Sequence, residues 1–219
     1  MKNTYKLNLI LLNLTRKLFL ILIALVGISY ISNGQIIKPF SQRTSIYTPS
    51  KKVYNIKGDY AMFGNTNMVL KKYGDLTNNG NNMMVYADAD NDPNTLNSSS
   101  ASLSLSNENG AIPSCSNIIY AGLYWTGRAH DGASPNTFTV TKDSVTKNYN
   151  KQIVSLKGPG ATNYTTITAN LNDTYFSSAA EGSMFTAYAE VTDYVRTHGV
   201  GDYFVADIAL REGIGGSIG

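Results

Sequence analysis

Oxygen-bearing side chains stand at every second position of Asp88-Ala89-Asp90-Asn91-Asp92-Pro93-Asn94. Asp88, Asp90, Asp92 and Asn94 thereby offer ligands at positions 1, 3, 5 and 7 of a tight loop, the spacing with which a chain wraps a hard cation such as calcium. Three acids so close repel one another unless a cation or solvent screens them. An EF-hand needs glycine at the sixth loop position and glutamate at the twelfth, and those places hold Pro93 and Ser99. Two readings follow. One is a looser calcium loop completed by backbone carbonyls, water or Glu108; the other is an Asp/Asn-rich surface turn.

Catalytic patterns are scarce. Gly215-Gly216-Ser217-Ile218-Gly219 matches the G-x-S-x-G of hydrolases. A nucleophile elbow needs a helix after the serine and acid and histidine partners later in the chain. The sequence stops two residues after Ser217, so the match is read as accidental. His130 and His198 are the only histidines and make no zinc spacing. His198 suits the end of a short helix, where a cation favours the dipole, and His130 is expected in a solvated loop. No catalytic residue is expected.

Aromatic residues are the other candidates, because their faces stack on ligands at recognition surfaces. Trp125 shares a strand face with Ile119 and Leu123 and is expected in the core. Tyr120 and Tyr124 fall on the opposite face and form the candidate glycan-binding surface. Asn97-Ser98-Ser99, Asn163-Tyr164-Thr165 and Asn172-Asp173-Thr174 match the Asn glycosylation pattern. Asp143-Ser144-Val145 fits a short O-glycosylation pattern. The lone Cys115, next to an apolar run, is expected to be buried.

The elements that must position these groups have period two. Phe185, Ala187, Ala189 and Val191 alternate with Met184, Thr186, Tyr188 and Glu190. Ile118 to Trp125, Leu103 with Leu105, Phe138 with Val140, and Phe204, Ala206 and Ile208 repeat the pattern. Turn signals such as Asn79-Gly80, Asn109-Gly110, Asp131-Gly132 and Glu181-Gly182 separate these runs. Many short strands so punctuated predict an all-β sandwich or jelly roll over residues 53–219. The one helix expected is Thr192 to His198, capped by Thr192 or Asp193 and ended by Gly199.

Residues 1–34 read as a signal peptide: a basic start, the apolar run Leu18 to Val26, and small residues Ser32-Asn33-Gly34 ahead of Gln35. Residues 35–52, with Pro39 and Pro49, read as an extended mature amino terminus. The dense apolar run falls short of the roughly 20 residues a membrane span takes, so no span is expected in the mature chain. Setting aside Lys2, Lys6, Arg16 and Lys17 leaves 14 of the 18 basic residues against 15 acidic ones. The basic excess is therefore a property of the leader, and nucleic acid is not an expected partner. Charged residues make up 15% of the chain against a typical 25%, with Asn, Ser, Thr and Tyr supplying polarity instead. That is the balance of an extracellular β-protein. The sequence ends directly after a strand without a polar tail, which suggests a domain continued elsewhere.

Lys57-Gly58-Asp59-Tyr60, Gly64-Asn65-Thr66-Asn67, Ser106-Asn107-Glu108-Asn109-Gly110-Ala111, Ala121 to Gly127 and Ala189 to Val195 give the text a distinctive wording. It resembles the amino-terminal region of large adhesin-like or internalin-like surface proteins of gliding bacteria that use type IX secretion. The resemblance covers most of the chain after the leader and implies a cell-surface or extracellular location. The expected function is a non-catalytic surface module whose partners are glycans or proteins. A carbohydrate-binding module of a larger secreted enzyme is the alternative.

Overall fold

A computed structural model describes residues 14–20, 41–73, 82–128, 136–177 and 184–214. The signal-peptide cleavage region, His130, Ser217 and the turns at Asn79, Asp131 and Glu181 lie outside the described residues. The chain divides into two compact units, Met1–Arg43 and Thr44–Gly219. In the first, residues 14–20 form helix α1, in which Leu14, Leu18, Phe19 and Leu20 are each more than half exposed. Among the described residues no helix is long and apolar enough to cross a membrane.

The second unit opens with residues 44–67, which hold no strand or helix. Among the described residues twelve strands then form four antiparallel sheets, none closed into a barrel, in a sandwich-like all-β fold. One sheet is β1 (Met68–Leu70), β2 (Met83–Tyr86) and β12 (Gly213–Ile214), in that order. A second runs β4 (Gly122–Arg128), β10 (Met184–Glu190), β9 (Thr174–Phe176). A third runs β3 (Ser98–Leu103), β11 (Gly201–Ala206), β7 (Ile153–Lys157), β8 (Thr165–Thr168). The fourth is the hairpin of β5 (Thr137–Lys142) and β6 (Val145–Asn150). The helix α2 (Thr192–His198) joins β10 to β11.

The period-two reading holds best in β10, where Phe185 and Ala187 are buried while Met184 and Thr186 are exposed. Phe185 and Ala187 meet Trp125, Phe138, Tyr149, Val154 and Leu210 in the main core, which draws on every sheet. Trp125 is in that core as expected, and its indole N–H donates to the Lys151 carbonyl at 2.9 Å. A second cluster, Leu103, Leu156, Val191, Val195 and Tyr203, seats α2 against the third sheet.

Local departures from the sequence reading have physical causes. The strand expected from Ile118 begins only at Gly122, because the carbonyls of Ile118 and Ile119 accept from the Arg196 guanidinium at 2.8 and 3.0 Å. Cys115 is therefore not beside a strand. It lies in the one-turn helix Pro113–Cys115 and is exposed, which corrects the expectation of burial. Helix α2 has the expected bounds, but Val191 is its N-cap and no side chain caps it. Thr192 is instead fully buried and accepts the Ala121 N–H at 3.0 Å while donating to Glu190 at 2.8 Å. The serine-rich β3 lies upstream of the alternation expected around Leu103 and Leu105. In β11 it is Tyr203 and Val205 that reach the second cluster, while Phe204 packs under the Lys157 ammonium.

Candidate functional site

Pairing of β4 with β10 sets Tyr124 opposite Tyr188, Thr126 opposite Thr186, and Gly122 opposite Glu190. Alternation puts these six on one face, while Leu123, Trp125, Phe185 and Ala187 point into the core. The outward face is thus a small platform of tyrosine and threonine. Tyr124 is 64% exposed and stacks on Tyr188 with ring centroids 4.8 Å apart and planes tilted by 42°. Tyr120 reaches over from the segment before β4, 45% exposed, and its hydroxyl lies 2.6 Å from that of Tyr188. Tyr188 is buried beneath the other two. Burial, then the hydrogen bond to Tyr188, pushes the Tyr120 hydroxyl well above the usual phenol range. The cluster offers ring faces rimmed by hydroxyls.

Gly122 makes this closeness possible. A Cβ there would stand 2.9 Å from the Tyr188 ring, 3.0 Å from the Tyr120 hydroxyl and 3.1 Å from the Tyr124 ring. The sequence placed Tyr120 and Tyr124 on this face. Tyr188 was legible only as an outward residue of β10, because its place under Tyr124 depends on strand register.

The acidic loop is built differently from a ring of ligands. Asp90 points inward, its side chain 8% exposed, and pairs with the Lys157 ammonium. Its second partner is the Tyr164 hydroxyl at 2.7 Å. The hydroxyl of Ser98 lies 2.8 Å from Asp90 Oδ1 and 3.0 Å from Asp88 Oδ1, which brings those two carboxylates together. Asp92 turns away and accepts from the backbone N–H and the side-chain amide of Asn94, both at 2.9 Å. Burial alone would raise the Asp90 pKa, but the hydrogen bonds from Lys157, Tyr164 and Ser98 outweigh it and hold the carboxyl below its ordinary value. Lys157 thus supplies the counter-charge that the loop needs. Among the described residues no group of three or more His, Cys, Asp or Glu is placed to hold a metal. Glu108 lies in the exposed one-turn helix Glu108–Gly110.

The remaining candidates separate by burial. Asn97 of the first glycosylation pattern is fully buried, whereas Asn163 and Asn172 are exposed. Asp143 and Ser144 are both exposed in the two-residue turn of the β5–β6 hairpin, at positive φ of 48° and 70° respectively. His198 packs on Tyr194 with its Nδ1 3.0 Å from the Pro159 carbonyl, a helix-end role. Comparison of the chain with family models, with curated proteins and with solved structures finds no match.

Proposed function

We propose that the chain is a non-catalytic binding module of an exported, adhesin-like surface protein of the type IX kind, and that its ligand docks on the tyrosine face. The observation that carries this reading is the open pair Tyr120 and Tyr124 propped on buried Tyr188. Rigid aromatic rings with hydroxyl rims give contact area at small entropic cost, as recognition surfaces require. The helix at residues 14–20, with basic Arg16 and Lys17 and its leucines exposed, suits a leader that serves export rather than a core. A glycan is the ligand class that the rings fit best, since sugar C–H faces stack on them and sugar hydroxyls meet their rims. Tyr124→Ala is expected to lower retention on polysaccharide columns by about tenfold with an unchanged circular dichroism spectrum. A blank glycan array together with no retention of the unaltered protein would remove the glycan and leave a protein ligand.

The second reading, a carbohydrate-binding module of a larger secreted enzyme, rests on the same rings and is separated by substrate. Adhesion predicts binding to intact cells, and the module predicts binding to insoluble polysaccharide.

Calcium at the acidic loop belongs to the same proposal. A cation there has to take Asp90 from Lys157. Its expected result is a calcium-dependent rise in Tm that Asp90→Asn abolishes, amounting to about 2.7 kcal/mol at a hundredfold excess over Kd. The same variant reports on the ion pair without metal. A carboxyl whose folded-state pKa lies below its unfolded value of about 3.9 contributes stability that is full above about pH 5 and is lost as pH falls through the folded pKa. Acid unfolding is therefore expected to be shallower in Asp90→Asn. Equal pH profiles and no calcium response would reduce the loop to a solvated turn.

A further inference from the structure

On a different part of the fold, the β5–β6 hairpin is a two-stranded sheet, so the outer edges of both strands lack a strand partner among the described residues, and the β5 edge at Thr139 and Thr141 faces a cleft. Its two-residue turn makes Lys142 and Val145 a closing pair, and the ladder continues through Val140 with Lys147 and Phe138 with Tyr149. The Lys151 N–H bonded to the Asn136 carbonyl at 2.8 Å extends the same ladder and fixes its phase. Thr139 and Thr141 fall between these pairs, so their backbone N–H and C=O groups point away from β6. Their side chains confirm the phase by bonding directly across the hairpin, Thr139 to Asn148 at 2.7 Å and Thr141 to Thr146 at 3.0 Å.

That edge forms one wall of a cleft of about 300 Å³, whose other lining residues include Tyr86, Lys142, Arg211 and Glu212. The charges in it are unevenly matched. Lys142 is paired with Glu212 at 2.6 Å, and the same Glu212 oxygen accepts the Tyr86 N–H at 2.9 Å. Among the described residues Arg211 has no such partner. Its guanidinium lies over the Phe138 ring at 5.0 Å, its Nη2 makes one long bond of 3.4 Å to the Thr139 carbonyl, and its buried Nε has no partner. A planar fork held by a ring, always charged and short of acceptors, is a receptor for a carboxylate. A glycan acid would use the fork alone. The adjacent row of outward backbone donors and acceptors is matched only by another extended backbone.

We infer that this cleft binds an extended peptide strand of a partner protein, which adds to the β5 edge at Thr139 and Thr141 and places an acidic side chain on Arg211. The site is separate from the tyrosine face and stands whether or not that face binds glycans.

The test uses two blocked pentapeptides, Thr-Val-Glu-Val-Thr and Thr-Val-Gln-Val-Thr, titrated into the whole chain and followed by backbone NMR. The glutamate peptide is expected to bind about tenfold more tightly than its glutamine analogue and to shift the Thr139 and Thr141 amides. Arg211→Gln is expected to erase the difference between the peptides. Thr141→Pro, which removes an edge donor and the Thr146 side-chain bond but no backbone bond of the β5–β6 ladder, is expected to weaken both. Arg211→Lys keeps the charge without the fork and serves if Arg211→Gln does not fold, with the preference for the glutamate peptide expected to shrink rather than vanish. Equal binding of the two peptides, or no binding at millimolar concentration, would overturn the inference. So would an oligogalacturonate that shifts the Arg211 Nε–H while the peptides do not, since the cleft would then be an acidic-sugar site.

Discussion

Asn97→Ala is expected to cost about 3–5 kcal/mol, read as a lower urea midpoint with an unchanged slope. Asn97 has no exposed surface, and its amide uses its whole bonding capacity. Oδ1 accepts from the Asn67 amide at 2.8 Å and from the Ile208 N–H at 3.0 Å. Nδ2 donates to the Tyr149 hydroxyl and to the Ile208 carbonyl, both at 3.0 Å. Asn67, itself buried, passes the network on to the Val205 carbonyl at 3.0 Å and takes the Ser99 hydroxyl at 2.6 Å. Alanine removes four bonds and leaves several buried donors and acceptors without partners, which costs more than the bonds themselves were worth.

The network accounts for more than stability. Asn67 precedes β1, Asn97 precedes β3, Ile208 follows β11 and Tyr149 lies in β6, so one amide fixes four strands relative to each other. Apolar packing alone would tolerate small slips of these strands, whereas directional bonds in a water-free interior do not. Asn97→Asp tests this separately: it keeps the volume but turns two donors into acceptors facing a carbonyl. A comparable loss is expected from it. A loss below about 1 kcal/mol in both variants would mean that the amide is not the joint between these strands. The burial also means that the Asn97-Ser98-Ser99 pattern is closed to modification in the folded protein.

These elements show why part of the fold was legible in the sequence and part was not. Strand β10 could be read because its alternate residues differ in polarity, and α2 because Gly199 stops it. Strand β3 could not. Its sequence is Ser-Ser-Ser-Ala-Ser-Leu, and Ser98 and Ser99 are buried through hydrogen bonds to Asp88, Asp90 and Asn67 rather than through hydrophobicity. The apolar stretch before Gly122 misled in the opposite sense, since its carbonyls go to an arginine 77 and 78 residues downstream. The acidic loop shows the same division. Its ligand-like spacing is local and visible, but Lys157 and Tyr164 come to Asp90 from 67 and 74 residues away. Local patterns report which side of an element faces the core; they do not report which distant group arrives there.

Two glycines in β4 turn that distinction into an experiment. Gly122 and Gly127 lie five residues apart and so face opposite sides of the sheet. A Cβ at Gly127 would come within 2.3 Å of a Leu210 methyl and 2.8 Å of the Phe185 ring, both fully packed in the core. Gly127→Ala is therefore expected to cost about 3 kcal/mol through overpacking. At Gly122 the same methyl meets tyrosines instead, and two of the three are exposed enough to swing outward. The nearest contact, the buried Tyr188 ring at 2.9 Å, has to shift, so a cost of about 1–2 kcal/mol, less than for Gly127→Ala, is expected from Gly122→Ala. It also acts on binding: spreading Tyr120 and Tyr124 off Tyr188 breaks the platform, and ligand retention is expected to drop about tenfold, or about 1.4 kcal/mol. Melting curves and polysaccharide retention measured on both variants separate the two roles. If Gly122→Ala keeps full retention, the tyrosines do not act as one surface, and the ligand must be sought away from this sheet.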